Sequence, residues 1–302
     1  MMRIAITGGT GFIGRALTKE LVKQNHEVLI LTRNPEKHTN TTRIQYIKWL
    51  DSGAEPASEL GKLDAFINLA GESINSGRWT DERKRRILES RMQGTDEVLN
   101  IVAEMPQKPT VLINASAIGI YPPSKSHVYT ERSKETGDDF LAETVYEWER
   151  KAKQAEEFDV RVIFSRFGII LAKDQGALPK IAMPYQLFAG GRVGSGEQWM
   201  SWIHIDDVVK GITFLLEHPT LSGPINFTAP EPVTMNTFGK ILGKVLHRPH
   251  WLPAPAFALK AVLGEMSILV LDGQKVLPEK LMKAGYSFEY STLDAALRDI
   301  YQ

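Results

Sequence analysis

Arg3-Ile4-Ala5-Ile6-Thr7-Gly8-Gly9-Thr10-Gly11-Phe12-Ile13-Gly14 runs from a short apolar strand pattern through a glycine turn into a helical pattern. That order decides the fold. Gly8 and Gly11 let the backbone turn tightly and approach a pyrophosphate with no Cβ in the way, and Gly14 lets the first helix pack closely on the first strand. The free N–H groups and the positive dipole end of a helix beginning at Phe12 make an anion site. A glycine triplet alone says little, because turn glycines are common. Set between a strand and a helix, it predicts a dinucleotide site lined by Gly8, Thr10, Gly11, Phe12, Ile13 and Gly14.

Outward from this motif, short apolar runs alternate with longer amphipathic ones. The pattern predicts strands over 3–7, 27–32, 44–49, 64–69, 110–115 and 160–165, with helices over 12–24, 80–104 and 138–156. Buried strands separated by helices imply an α/β fold: a Rossmann-type, doubly wound parallel sheet of about seven strands. Ligands of such a sheet bind outside the carboxyl ends of its strands. From about residue 175 the rhythm breaks, with Gly190, Gly191, Gly194, Gly196 and several prolines. The last segment opens at Trp251 with Pro253 and Pro255, then predicts a helix over about 257–271 and another near 292–300. The expected division is a dinucleotide-binding domain over 1–172, with 200–230 returning to it, a smaller interleaved substrate lobe over 173–250, and a small C-terminal domain over 251–302.

The chain has 302 residues, 43% of them hydrophobic, enough for a full core and a second lobe. Thirty-six basic residues balance 36 acidic ones, so nothing suggests an electrostatic grip on nucleic acid or an acidic membrane surface. No run approaches the ~18 apolar residues of a membrane span, and the first strand begins at once, leaving no room for a signal peptide. Cysteine is absent, which excludes disulfides, thiolate metal sites and a cysteine nucleophile. The histidines are scattered without ligand spacing, so no metal is expected. A soluble, cytoplasmic protein acting on a small molecule, as monomer or homodimer, is the expectation.

The second strand selects the dinucleotide. NAD-specific sheets place an acid at its end, on the adenosine ribose hydroxyls. Here the strand reads Glu27-Val28-Leu29-Ile30-Leu31-Thr32-Arg33, with no acid there. The Arg33 guanidinium suits a 2′-phosphate that an acid would repel, and Thr32 adds a hydroxyl. This favours NADP(H); a solvated loop arginine is the competing reading.

The Gly-x-x-Gly-x-x-Gly spacing, together with Asn68-Leu69-Ala70-Gly71, resembles the short-chain dehydrogenase/reductase superfamily. Its members polarise substrate through Ser, Tyr and Lys, with Tyr-x-x-x-Lys on one helical face. Asn114-Ala115-Ser116-Ala117-Ile118-Gly119-Ile120-Tyr121 is similar to the extended group's serine-rich segment. Matched on Tyr121, it puts Ala117 at the serine position and Ser116 one residue earlier. On the next helix Phe140 falls at the tyrosine and Thr144 at the lysine. Tyr121-Pro122-Pro123-Ser124-Lys125 satisfies the Tyr-x-x-x-Lys string, but two prolines oppose a helix there. Tyr146 and Arg150 share the spacing but lie too late, and an arginine stays protonated.

These departures resemble, nearly end to end, an atypical short-chain group known as the epimerase family, sometimes described as sugar-nucleotide epimerases or cell-division inhibitors. The likeness rests on Thr7–Gly14, Asn68–Glu72, Arg78-Trp79, Ser90-Arg91, Asn114–Tyr121, Asp139–Glu143, Trp148-Glu149, Arg166–Ile169, Gly190-Gly191, Gly196 to Trp199 and Ser201–Asp207. It continues through Gly264-Glu265 and Gly273–Pro278, the family's small C-terminal domain. Pro122-Pro123 departs from the glycine that usually follows Ile-Tyr. The resemblance implies that Thr32, Arg33, Leu69, Ala70, Gly71, Ala115 and Arg166 contact the cofactor. Arg91 reaches either a phosphate or ribose, or a surface ion pair.

For the chemistry, Glu72 at a strand's carboxyl end, Glu143 on the helix of the missing lysine, and Ser116 are the candidate catalytic groups. Their bland alternatives are loop hydrogen bonding for Glu72 and a solvated helix face for Glu143. His204 reads mainly as structural, with Asp206 as a helix N-cap and Asp207 as a first-turn dipole partner. Trp199 and Trp202 read as core or lid aromatics, and Gly190–Gly196 as a flexible flap. Two functions follow. One is an NADP(H)-binding oxidoreductase or nucleotide-sugar-epimerase-like enzyme that lacks the usual triad. The other is a non-catalytic, NADP-sensing binding or scaffold protein.

Overall fold

Seven parallel strands form the central sheet of the computed structural model, which describes residues 1–302. Side by side lie Gly223–Phe227, Arg161–Phe167, Val111–Ala117, Ala65–Asn68, Arg3–Thr7, Glu27–Thr32 and Ile44–Lys48. The chain starts in the middle, winds to one edge, and crosses back to wind to the other. That reversal leaves a crevice outside the carboxyl ends of the first and fourth strands.

Alternation within the strands builds two cores. Ile4, Ile6, Val28, Ile30, Ile67, Ile113 and Ile163 share one face with Leu17 and Leu21 of helix Phe12–Lys23 and Val208, Ile212 and Leu215 of helix Ile205–Glu217. Ala5, Leu29, Leu31, Phe66, Leu112 and Val162 share the other with Val98 and Val102 of helix Asp81–Glu104 and Ala152 of helix Phe140–Ala152. A third core joins helices Leu178–Gln186, Met235–Leu246 and Leu293–Tyr301 through Leu178, Trp202, Phe238, Leu242 and Leu297.

The expected elements are present with ends moved by a few residues, and the doubly wound sheet is as expected. One prediction needs correction. The single helix over 257–271 is broken into Ala256–Leu263, a 3-10 turn at Gly264–Ser267 and Ile268–Leu271. Gly264 adopts φ +59°, which ends the first piece. The terminal segment is also stitched into the body. Lys275–Val276 pairs in parallel with Val128–Tyr129. No helix is long and apolar enough to cross a membrane.

Candidate functional site

The glycine turn is built for close approach. Gly8 sits at φ +68°, and a Cβ there would lie 2.6 Å from the Leu69 carbonyl oxygen. A Cβ on Gly14 would lie 2.2 Å from the Gly8 carbonyl oxygen. These contacts bring the first turn, the first helix and the fourth-strand end into one cradle. Gly11 is the N-cap of helix Phe12–Lys23, and no side chain caps it, so the first-turn N–H groups face outward for an anion. Thr10 lends its carbonyl to Arg15 at 2.9 Å. Phe12 and Ile13 are half-buried beneath the turn.

Beside the cradle, Thr32 ends the second strand and Arg33 follows it, exposed and without an ion-pair or hydrogen-bond partner. Leu69, Ala70 and Gly71 lie just beyond the fourth strand, and Ala115 near the end of the fifth is almost fully buried. Arg91 pairs with no carboxylate. Its Nη1 donates to the carbonyls of Glu72 (3.1 Å) and Ile87 (2.9 Å), and its guanidinium lies over the Trp148 ring. Burial pushes its pKa down to about 10, which leaves it charged at neutral pH. A surface ion pair is therefore not its role here.

Strand register creates two buried polar rows. Thr7, Asn68 and Asn114 are lateral neighbours. The Thr7 hydroxyl donates to Asn68 Oδ1 (2.6 Å), and Asn68 Nδ2 donates to Asn114 Oδ1 (2.6 Å). Thr95, on the long helix above, accepts from Trp148 Nε1 at 3.0 Å. Further out, Ser116, Arg166 and Asn226 are neighbours. Arg166 donates through Nε and Nη2 to the two oxygens of Glu149 at 2.8 and 2.7 Å, and through Nη1 to the Tyr121 hydroxyl at 2.8 Å. The Tyr121 hydroxyl also lies 3.0 Å from Asn226 Oδ1. Asn226 Nδ2 reaches Leu277 of the terminal segment at 3.0 Å.

Four candidate residues take defined places, and for Glu72 and Glu143 these are the loop-bonded and solvated alternatives. Arg166 is 7% exposed and held by Glu149 and Tyr121: burial disfavours its charge, but Glu149 outweighs that and holds its pKa above the ordinary value. Ser116 donates to Glu149 Oε1 at 2.5 Å and is 3% exposed, so its hydroxyl is engaged in the same network. Glu72 clamps its own loop by binding Arg83 and, at 3.2 Å, Arg86. Glu143 lies on the solvent side with Tyr146 and Glu147, along an open groove of about 400 Å³, whereas its neighbour Thr144 turns inward. One residue on a helix is about a hundred degrees, enough to separate the two.

At the head of helix Phe140–Ala152, the Thr144 hydroxyl donates to the Phe140 carbonyl at 2.7 Å. Phe140 meets the buried Trp79 edge to face, with centroids 5.4 Å apart. His204, not Asp206, caps helix Ile205–Glu217; its ring accepts from the Asp206 N–H at 3.2 Å. Asp207 is fully buried and anchors the terminal segment, accepting from Glu289 N (2.8 Å), Tyr290 N (3.0 Å) and the Tyr286 hydroxyl (3.1 Å). The Gly190–Gly196 stretch is zipped to 251–254, with Gly194 N donating to Ala254 O and Ala254 N to Arg192 O. Trp202 is core, and half-buried Trp199 lies under Lys275. His204, Asp206 and Asp299 cluster closely, but the His204 Nδ1 lone pair is taken by the Asp206 N–H. Reading the sequence assigned no role to Glu149, Asn226 or Arg78. Their only signal was position within matching segments or next to a strand end.

Known proteins agree with this architecture. Residues 4–227 match the NAD dependent epimerase/dehydratase family, and residues 254–300 match a domain of unknown function, DUF1731. The chain is 46% identical to the epimerase family protein YfhF of Bacillus subtilis (strain 168), over 99% of this chain and 98% of that one. The crystal structure of the human epimerase family protein SDR39U1 (isoform2) with NADPH superposes with a TM-score of 0.88 at 32% identity, covering 99% of each chain. UDP-glucuronic acid 4-epimerase from Bacillus cereus, in complex with NAD, shares the fold at a TM-score of 0.78 and 18% identity, covering 99% of this chain and 97% of that one.

Proposed function

Because the chain belongs to the NAD dependent epimerase/dehydratase family, we propose that it is an NADP(H)-dependent oxidoreductase, or an epimerase-like enzyme, that works without a Ser-Tyr-Lys triad. The observation that carries this reading is the uncapped helix at Gly11, set in a cradle that no Cβ at Gly8 or Gly14 could share, beside an unpaired Arg33. NADPH in the human relative supports the same choice.

In this reading the helix N–H groups hold the pyrophosphate, while Arg33 and Thr32 take the 2′-phosphate. Arg91, held by two carbonyls, presents a fixed positive charge near the crevice. When bound, the nicotinamide supplies or accepts a hydride. Phe140 packs edge to face on Trp79 with the Lys84 ammonium over its ring, and the Thr144 hydroxyl is already committed to a backbone carbonyl. The Ser116–Glu149–Arg166 network positions the fifth and sixth strands rather than moving protons. Lacking a positioned acid, reduction of an ordinary ketone would forgo roughly 10²–10⁴-fold.

A titration of NADPH and NADH into dinucleotide-free protein, followed by nicotinamide fluorescence, tests this reading. NADPH should bind at least about tenfold tighter, roughly 1.4 kcal/mol, and Arg33→Ala should abolish the preference. Failure of both dinucleotides to bind would overturn it. The internal engagement of Ser116 and Glu72 favours one second reading, an NADP-sensing binding protein. Tight binding with no turnover on any acceptor would select that one.

A further inference from the structure

A cavity of about 290 Å³ opens between the Gly190–Gly196 stretch and the terminal segment, with Ser195 on one side and Lys260, Ser267 and Asp272 on the other. It exists because the chain breaks at Gly264–Ser267. Along one unbroken helix Lys260 and Asp272 would stand about 18 Å apart. The break lets both line one small space. The walls are fixed to each other. Gln198, 3% exposed, donates through Nε2 to the carbonyls of Val193 (3.1 Å) and Val270 (2.7 Å). Gly194 N donates to Ala254 O at 2.9 Å, and a Cβ on Gly194 would lie 2.8 Å from Leu271 Cδ2.

Three polar groups lining this cavity have no partner within the protein. Ser267 is 4% exposed, yet its hydroxyl makes no hydrogen bond. A hydroxyl so placed costs free energy unless something in the cavity satisfies it. Lys260 and Asp272 stand exposed at the rim, and neither charged group joins an ion pair or a hydrogen bond. Opposite charges that share so small a space without pairing suit a ligand carrying both complements. Ala256, Ile268 and Leu271 make the rest of this wall apolar. Ser195, by contrast, is engaged with Gln198 Oε1 at 3.3 Å. No lining residue belongs to the glycine cradle, so the site stands apart from the dinucleotide reading.

We propose that this cavity binds a small zwitterion, a free α-amino acid with an aliphatic side chain. Its carboxylate meets the Lys260 ammonium and accepts from the Ser267 hydroxyl, and its ammonium meets the Asp272 carboxylate. Its side chain lies on Ile268 and Leu271. A simple anion would set its charge beside Asp272, and a simple amine beside Lys260, each an unfavourable like-charge contact. The volume lies at the small end for ligand pockets, which favours a compact metabolite over a nucleotide sugar. Once occupied, the cavity ties the glycine stretch to the terminal segment through the ligand.

Calorimetric titration of the intact protein with L-leucine, 4-methylpentanoate, 3-methylbutan-1-amine and glycine tests the proposal, with no dinucleotide present. The second and third probes lack leucine's ammonium and its carboxylate in turn. Leucine should bind at least about tenfold tighter than either, or 1.4 kcal/mol. It should also bind tighter than glycine, which offers the apolar wall nothing. Lys260→Ala should weaken leucine about tenfold and remove its advantage over the amine. Asp272→Asn should weaken it likewise and remove its advantage over 4-methylpentanoate. Ser267→Ala should lower leucine affinity with no loss of thermal stability, since that hydroxyl holds nothing in the free protein. Absence of saturable leucine binding overturns the proposal. So does equal binding of either half-analogue, or an unaltered leucine affinity in both Lys260→Ala and Asp272→Asn.

Discussion

Ser116 and Glu149 are joined by a 2.5 Å hydrogen bond, and the same carboxylate takes two further bonds from Arg166. The residue nearest the expected catalytic serine therefore belongs to a buried ion-pair network. Its neighbours reach through Tyr121 and Asn226 to the terminal segment. The network stabilises only as a whole, because a buried charge that loses its partner retains the cost of desolvation.

Removing one partner tests this. The side chains of Arg166 and Glu149 are 9% and 11% exposed. Glu149→Ala should destabilise the fold by about 3–5 kcal/mol, measured by urea unfolding. Ser116→Ala should cost only about 1–3 kcal/mol. If both variants cost the same small amount, the network is not buried in solution.

Gly14→Ala addresses the cradle. The new methyl would meet the Gly8 carbonyl oxygen at 2.2 Å and push the turn outward. NADPH affinity should fall by at least about tenfold, or 1.4 kcal/mol, while the far-ultraviolet circular dichroism stays native. Unchanged affinity would place the pyrophosphate elsewhere.

His204 makes stability pH-dependent in a defined direction. Burial pushes its imidazole below the ordinary value of 6.5, against the pull of Asp206, Asp299, Asp207 and Glu289. The unfolded chain thus takes up a proton before the folded one does. Its contribution is complete above about pH 6.5 and is lost as pH falls from there through the folded pKa. His204→Asn keeps a helix-capping acceptor without the titration. Unfolding free energies between pH 8 and 5 should fall less steeply in that variant; an identical slope would sink the assignment.

Asp207 ties down the terminal segment through two backbone N–H groups and a tyrosine hydroxyl. Asp207→Ala leaves those donors unpaired, at a cost of about 3 kcal/mol or more. Limited proteolysis should then cut first around 284–292. Protection equal to that of the parent chain would show that the hydrophobic core, not Asp207, holds the segment.

The sequence by itself determined the central sheet, the glycine cradle and the family. Their signals are local: apolar alternation, a glycine turn opening a helix, and motifs that lie on adjoining stretches. Only the tertiary structure decided what the polar residues do. Strand register sets Ser116 beside Arg166 and Arg166 beside Asn226, though these lie 50 and 60 positions apart. One helical step sends Thr144 inward and Glu143 to solvent. Arg78 meets a helix more than 180 residues away. Hydrogen-bond partners follow from packing across the fold, and a linear reading of residue types does not contain that packing.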